Sequence, residues 1–410
     1  MKIAIIGAGA AGLTAAITAK QLNASLDITL FDSNISLGKK ILASGNGRCN
    51  ISNIHNGCDY YMGEDVNFAS YALEQFHFKA FKTFCASLGL VLDIKSDGKV
   101  YPLSNEAKSV VNLFESKINA LNITTQYDTV ITSIHKKDEK FVIKSENESF
   151  TFFDKVLIAS GLQAAPQLRS SEDGLSFAQS FGHTINPTYP SLVGLHVDSN
   201  YHHKLQGVKK EVGVSLLING QKEQTLTGDV LFTKYGVSGF AILDVSQWAS
   251  YYLSLYQAVD IEINFFPILN KNELLSKLQT VLSAQTQEHA SVVLGGLLPN
   301  KLGAVLLEVC GFDKDIKAGE INAKQMRTLV NQLQHWKLEI TGTQGYKHAE
   351  VSGGGVRVAE VDAKRYESKK VSGLYFAGEV LDITGKRGGY NLHFAWASGY
   401  LAGLSLAKGK

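Results

Sequence analysis

Lys2-Ile-Ala-Ile-Ile6, Gly7-Ala-Gly9-Ala-Ala-Gly12 and Leu13-Thr-Ala-Ala-Ile-Thr-Ala-Lys20 follow one another at the start of the chain. The continuous apolar run at residues 3–6 suits a strand buried on both faces of a parallel sheet. Gly7 permits a tight turn out of that strand. The missing side chain of Gly9 lets a pyrophosphate approach the backbone, and Gly12 lets the next helix pack closely on the strand. That helix, with Ala10 and Ala11 in its first turn, offers free N–H groups and a positive dipole end to the phosphates. A second apolar run, Asp27-Ile-Thr-Leu-Phe31, leads into Asp32 and Ser33. An acid at this place accepts hydrogen bonds from ribose hydroxyls. Strand, glycines, helix, strand and acid in this order predict a dinucleotide site. The opening also resembles a secretory leader, but cleavage near Ala16 or Ala19 would destroy the first strand, so the strand reading is preferred.

The 410 residues suffice for two or three domains. An apolar content of 45% is ordinary for a globular protein, and a net charge of +2 neither favours nor excludes nucleic acid. The longest apolar stretch, Ser291 to Val309, is broken by Pro299, Asn300 and Lys301, so no membrane partner is expected. Cys49, Cys58, Cys85 and Cys310 form no CxxC pair and no metal-ligand spacing. A cytoplasmic protein with reduced thiols and no metal is expected.

After Ser33 the chain is polar and Gly-rich as far as Asn53. Lys40, Ser44, Gly45, Arg48, Cys49 and Asn50 suit wrapping a phosphorylated, ribityl-bearing ligand. Cys49 is either a proton donor, if its thiol reaches a substrate, or a small residue packed under the cofactor. Residues 68–90 read as one helix, and a second helix starts at Ser104 or Asn105 with Glu106. Segments 123–127, 129–134, 140–144 and 149–153 read as a small antiparallel layer, with an adenine docking near the Val130 backbone. Residues 154–159 form a third buried strand, and Ala159, Ser160 and Gly161 make a small-residue turn that lets a cofactor pass.

Pro187 and Pro190 mark a boundary. Residues 1–190 are expected to form the first part of a cofactor domain, 191–340 an insert, and 341–410 the return to the first domain. The insert reads as β structure followed by helices, with an Asn219-Gly220 hairpin of the type I′ kind. In the return, residues 371–379 form a buried strand ending in Gly378-Glu379. Gly389-Tyr-Asn-Leu392 then opens a final helix. A dinucleotide held at the N-terminus and again by the last strand and helix is an extended one, which suits FAD. The final helix's N-terminus would stabilise negative charge on a reduced flavin. Lys386 and Arg387 are candidates for an anionic substrate or a nicotinamide phosphate, and His348, before Gly353-Gly-Gly355, is a further catalytic candidate.

These residues resemble the BaiN/RdsA-type NAD(P)/FAD-dependent oxidoreductases, also called aminoacetone oxidase-like, over the whole length. The specific parts are Gly38-Lys-Lys-Ile-Leu-Ala-Ser-Gly-Asn-Gly-Arg-Cys-Asn50, Gly228-Asp-Val-Leu-Phe-Thr-Lys-Tyr-Gly-Val-Ser-Gly239, and Gly378-Glu-Val-Leu-Asp382 with Gly388-Gly-Tyr-Asn-Leu392. The resemblance implies an α/β fold: a glutathione-reductase-like Rossmann domain for FAD, interrupted by an inserted β-barrel and a helical subdomain. The chain departs from the family's usual Gly at Asn46, His at Lys234, Pro at Phe240 and Gly at Leu162.

The resemblance further implies an oxidoreductase. Its expected reaction is reduction of an activated C=C bond by hydride from flavin N5, with NAD(P)H as a transient electron donor because no second G-x-G-x-x-G follows a strand. The alternatives are an rRNA dihydrouridine synthase-like enzyme and a small-amine oxidase. For rRNA, Tyr201-His-His-Lys204 with Lys209-Lys210 would supply phosphate contacts or else form a solvated basic face.

Overall fold

The computed structural model describes residues 1–146 and 149–408. The chain divides into two compact units, Met1–Tyr189 with Glu350–Lys410, and Pro190–Ala349.

The first unit is built on strands β1 (Lys2–Ile6), β2 (Asp27–Phe31), β3 (Thr124–Gln126), β4 (Lys155–Ile158) and β5 (Leu374–Phe376). They lie in the order β5-β4-β1-β2-β3, every pair parallel. Ile3, Ala4 and Ile5 on β1 and Val156, Leu157 and Ile158 on β4 are fully buried, as strands covered on both faces must be. Burial of each large aliphatic side chain contributes roughly 1.5–3 kcal/mol.

The antiparallel layer holds three strands, Ile131–Lys137, Lys140–Ser145 and Ser149–Phe153. The fourth expected member, β3, joins the parallel sheet instead. It pairs Phe31 with Gln126, and Asp32 N donates to Gln126 O at 3.0 Å, satisfying the open edge of β2. The expected helix over 68–90 is also broken, into Ser70–Gln75 and Phe78–Ser87. His77 is extended there (φ −58°, ψ 168°), and its Nδ1 accepts from Ala80 N as the cap of the second piece.

Helix α1 (Ala10–Leu22) and the last helix, α2 (Tyr390–Ala407), pack at backbone distance. A Cβ on Gly399 would stand 2.3 Å from Ala11 O, and one on Gly403 2.7 Å from Ala15 O. The buried amine of Lys155 closes the other end of α2. It donates to Ser405 O (3.1 Å), Leu406 O (3.3 Å) and Lys408 O (2.7 Å), where the helix dipole is negative.

The second unit is a closed six-stranded barrel with helices. Lys209–Ile218 and Gln221–Phe232 form the expected hairpin, and Asn219 (φ 50°) and Gly220 (φ 80°) take the left-handed conformations of a type I′ turn. Trp336–Thr343 closes the barrel by pairing with both Val259–Asn264 and Leu195–Asp198. Helices Lys271–Ala284 and Ala323–Gln334 each start with a capping box, Asn270 with Glu273 and Asn322 with Gln325. Among the described residues no helix is long and apolar enough to cross a membrane, and no cluster of His, Cys, Asp and Glu has the makings of a metal site.

Candidate functional site

The turn between β1 and α1 carries the first half of the site. Gly7 takes φ 109°, and a Cβ there would meet Ala159 O at 2.4 Å. A Cβ on Gly12 would meet Gly7 O at 1.9 Å. Both residues must therefore be glycine for strand, turn and helix to close on one another. Gly9 is different: nothing lies within 4 Å of the position its Cβ would take. It caps α1 with no side-chain hydrogen bond, so the first-turn N–H groups of Ala10 and Ala11 have no side-chain cap.

Asp32 stands at the end of β2. Its Oδ2 accepts from Ala8 N at 2.7 Å, and its Oδ1 accepts from Asn34 N at 2.8 Å and Asn34 Nδ2 at 3.1 Å. The carboxylate is thus fixed against the glycine turn with lone pairs to spare. Arg169 reaches the same corner, donating to Ser33 O and to Asp128 Oδ1 (2.7 Å), close in sequence to Val130. Asn34 and Arg169 were not legible from sequence. An Asn after the acid has no fixed role, and Arg169 comes from a distant irregular segment.

The second half of the site is gathered from residues far apart in sequence. Lys40 Nζ lies 2.5 Å from Glu379 Oε2, and Glu379 Oε1 accepts from Ser352 N at 2.9 Å. Ser352 Oγ in turn accepts from Ala164 N at 3.1 Å. Gly161 (φ 71°) lies beneath this group, its Cβ position 3.2 Å from Glu379 Oε2. Gly378, before Glu379, donates to Ser398 Oγ on α2 at 2.9 Å. The Ser160 hydroxyl is buried and has no partner among the described residues. Sequence reasoning missed Ser352, which carries no signal beyond its place before three glycines.

The Ser44–Asn50 loop takes the left-handed region at Gly45 (φ 57°), Asn46 (φ 54°) and Cys49 (φ 58°). Asn46 therefore stands where Gly is usual, and Asn tolerates that conformation better than other side chains. Asn50, with its amide turned to satisfy every neighbour, donates to Val100 O (3.1 Å) and Ser52 O (3.0 Å) and accepts from Gly389 N (3.2 Å). This ties the loop to the start of α2. Arg48 is exposed and lies 5.5 Å over the Tyr101 ring, and Ser44 Oγ donates to Ile41 O at 2.7 Å.

Cys49 is enclosed by protein. It has no exposed surface, and burial pushes its thiol up to about 11, a rise moderated by its hydrogen bond with Ser44. Of the two expected roles, this enclosure suits the small packed residue.

At the start of α2, Tyr390 is buried and stacks on Tyr60, with ring centres 4.5 Å apart and planes 8° apart. Burial pushes the Tyr390 phenol well above its ordinary value, and Tyr60 adds to the rise. Asn391 Oδ1 accepts from Gly385 N and its Nδ2 donates to Gly385 O, both at 2.7 Å. Its side chain is therefore occupied, and the backbone N–H groups around Asn391 and the half-buried Leu392 are what this end of α2 can offer a ligand. Lys386 is exposed, with Nζ 5.6 Å over the Tyr60 ring, and Arg387 is half-buried beside it in sequence. His348 belongs to the second unit, where it is exposed and its N–H donates to Gly345 O at 3.1 Å.

His393, one turn into α2, was missed because a lone His in an apolar helix carries no pattern. It is fully buried, with Nδ1 2.8 Å from Ser52 Oγ and Nε2 2.8 Å from Asn56 Nδ2. An amide nitrogen only donates, so Nε2 accepts and the ring proton sits on Nδ1. Burial holds its pKa down to about 4. A neutral ring suits the positive end of a helix.

The model of the HI0933-like protein Rossmann domain family matches residues 1–405. The chain belongs to that family. It is an FAD-dependent oxidoreductase. It is 34% identical to a 3-dehydro-bile acid delta(4,6)-reductase of Clostridium scindens, over 99% of both chains. It is 30% identical to a ribosomal RNA dihydrouridine synthase of Haemophilus influenzae, over 98% of both. Among solved structures, a 3-ketosteroid-delta4-(5alpha)-dehydrogenase from Rhodococcus jostii RHA1 aligns with 100% of this chain and 97% of its own, with a TM-score of 0.50 and 13% identity. That likeness is one of fold. FAD fits the flavoprotein's first unit on three observations: the open space at Gly9, the uncapped first turn of α1, and the orphaned Ser160 hydroxyl.

Proposed function

We propose that the protein is a reductase of a carbon–carbon double bond conjugated to a carbonyl, with NAD(P)H as its electron donor. The similarity to the bile-acid reductase over nearly all of both chains carries this reading. A 3-dehydro bile acid with delta(4,6) unsaturation and a uridine, the nucleoside behind the second relative's name, both hold an alkene in conjugation with a carbonyl. One chemistry therefore covers both relatives.

When bound, FAD would supply the hydride, and the chain's own residues hold and tune it. Gly7, Gly9, Ala10, Ala11 and Gly12 would take the pyrophosphate on backbone N–H groups, and Asp32 and Ser33 the ribose. The Lys40–Glu379 pair, with Ser44, Gly45, Arg48, Asn50, Ala159, Ser160, Gly161 and Gly378, would line the passage of the ribityl chain. The Val130 backbone would take the adenine. The N-terminus of α2 at Gly389, Tyr390, Asn391 and Leu392 would stabilise negative charge on the reduced ring. Lys386 and Arg387 would meet an anionic donor or substrate, and His348 remains a candidate for proton handling. The domain division expected from sequence is part of the same proposal, with residues 1–190 and 341–410 serving FAD.

Anaerobic mixing of the yellow protein with NADPH, then NADH, tests the donor through loss of the long-wavelength flavin band. Reoxidation of the bleached protein by a conjugated enone tests the acceptor. Bleaching by either nucleotide and reoxidation by enone is expected. No bleaching by either nucleotide, with peroxide formed from a small amine in air, would replace this reading by the amine oxidase.

The 30% identity to the dihydrouridine synthase, over 98% of both chains, favours a second reading, with rRNA as substrate. The basic residues of the second unit are partly committed. Lys204 pairs with Glu308, Lys209 lies 3.3 Å from Asp229, and Lys210 sits 4.7 Å over the Phe266 ring. Loss of one dihydrouridine from the rRNA of a deletion strain would establish this reading, and unchanged rRNA would remove it.

A further inference from the structure

The segment after β4 takes a backbone shape that its own side chains disfavour. Ala165 (φ 57°, ψ 60°) and Arg169 (φ 57°, ψ 31°) flank the short 3-10 helix Pro166–Leu168, and both lie in the left-handed region. Asp128, which Arg169 meets, is left-handed as well (φ 50°). An aspartate tolerates that conformation, whereas alanine and arginine do not, and glycine would take position 169 without loss. Such strain persists only where the surroundings enforce it, and it gathers at ligand clamps.

The contacts that Arg169 makes with protein do not account for an arginine there. Its ion pair with Asp128 leaves the two side chains 54% and 65% exposed, and water screens such a pair until it contributes little. What the contacts do is set a plane. Nη1 carries two hydrogens in the plane of the guanidinium, and Ser33 O and Asp128 Oδ1 each accept from it. Among the described residues Nε and Nη2 have no partner, and no aromatic ring lies over the group. A flat, oriented cation is left open at the surface.

Its surroundings say which ligand it suits. Ser33 follows Asp32, the acid expected at the ribose, and Asp128 stands two residues before Val130, where the adenine is expected. The two segments are tied together, because Asp128 N donates to Asn34 O at 2.8 Å and Thr129 N to Asp32 O at 3.0 Å. Asn34 Nδ2 donates to Asp32 Oδ1 at 3.1 Å and to Leu168 O at 3.3 Å, which draws the strained segment against the same acid. All of these residues belong to the first unit. The guanidinium is thus fixed between the ribose acid and the adenine position.

We propose that Arg169 is a clamp for the adenine of FAD, its guanidinium lying flat against one face of the ring and held in that plane by Ser33 and Asp128. The proposal rests on the assignment of Asp32 and Val130 to the adenosine half of the cofactor. A delocalised cation on a purine face combines stacking with cation–π attraction. The clamp acts on the adenine alone, so it favours FAD over FMN, which has no adenine.

The test uses the full chain stripped of flavin and three ligands, FAD, FMN and ADP. Flavin binding is read from quenching of flavin fluorescence, and ADP binding from calorimetry. Arg169→Gly suits the left-handed backbone and removes only the side chain, so its urea midpoint should stay close to wild type. Arg169→Lys keeps the charge and has no plane. Both variants are expected to weaken FAD and ADP on the order of tenfold, and to bind FMN as wild type does. Wild-type affinity for FAD and ADP in either variant would overturn the clamp, and Asp32→Asn still weakening ADP would leave the adenosine assignment standing. Equal weakening of FMN and FAD would make Arg169 a tie between segments and overturn the clamp as well. If Asp32→Asn leaves ADP binding unchanged, the adenosine assignment fails, and this proposal with it.

Discussion

Lys40 Nζ and Glu379 Oε2 lie 2.5 Å apart although 339 positions separate them in the chain. The ion pair joins the short helix Lys39–Ala43 after β2 to the turn that follows β5, and through Ser352 N it also fixes the strand Val351–Val356. Both side chains are partly exposed, 31% and 19%, so solvent screens the pair and its contribution to folding is about 1 kcal/mol. Its larger effect is on the ligand. Glu379→Gln or Lys40→Met is expected to weaken FAD on the order of tenfold while lowering stability by only about 1 kcal/mol. Fluorescence titration of the apoprotein with FAD, beside urea melts of the same variants, checks both halves. The double variant should lose less than the sum of the singles.

His393 makes stability depend on pH in a set direction. Its folded pKa, about 4, lies below the ordinary value near 6.5, so the unfolded chain binds the proton more readily. The stability it contributes is complete above about pH 6.5 and is lost as pH falls towards 4. The full effect is about 3 kcal/mol at most. His183, buried with Nε2 2.7 Å from Ser368 Oγ, has its pKa lowered by burial and adds with the same sign. Urea melts at pH 7 and pH 4.5 should show wild type losing more stability than His393→Gln, and equal losses would refute the assignment.

What the sequence revealed and what it hid divide along chain distance. The turn at Gly7–Gly12 and the acid at Asp32 were legible because each step is local: an apolar run, a glycine spacing, a helix start and a second run. The Asn219-Gly220 hairpin was legible for the same reason. The Lys40–Glu379–Ser352 network was not, since its members meet only when the chain returns from the second unit. β3 was misplaced because its alternation suits any half-buried edge, and only the open side of β2 decides which sheet it joins. The break at His77 was hidden because Leu73 with Phe81 and Phe76 with Phe84, each pair eight positions apart, keep helical spacing across it. Burial could not be read from spacing either, which is why the sequence left Cys49 open between a proton donor and a small packed residue.

Gly399→Ala separates helix propensity from packing by the sign of its effect. In the interior of a free helix the change would stabilise by roughly 0.5–1 kcal/mol. Here the new methyl would stand 2.3 Å from Ala11 O, a backbone atom of α1 that cannot swing aside. A loss on the order of 2–3 kcal/mol is expected, with flavin released because α1 carries the phosphate-binding turn. Urea melts and the FAD content of the purified variant decide the sign.

The four cysteines differ enough in burial to be told apart by reagent. Cys49 and Cys85 are buried, whereas Cys58 and Cys310 are half-buried. Burial pushes the thiols of Cys58 and Cys310 up, that of Cys310 to about 11. In the native protein a disulfide reagent should therefore label Cys58 and Cys310 slowly, and reach Cys49 and Cys85 only on unfolding. Cys49→Ala removes one buried sulfur and should cost about 1 kcal/mol of stability. It should leave the rate of flavin reoxidation within roughly twofold of wild type, because an enclosed thiol donates no proton to a substrate. A loss of a hundredfold or more in that rate, with flavin content unchanged, would return Cys49 to the reaction and require the Ser44–Asn50 loop to open when substrate binds.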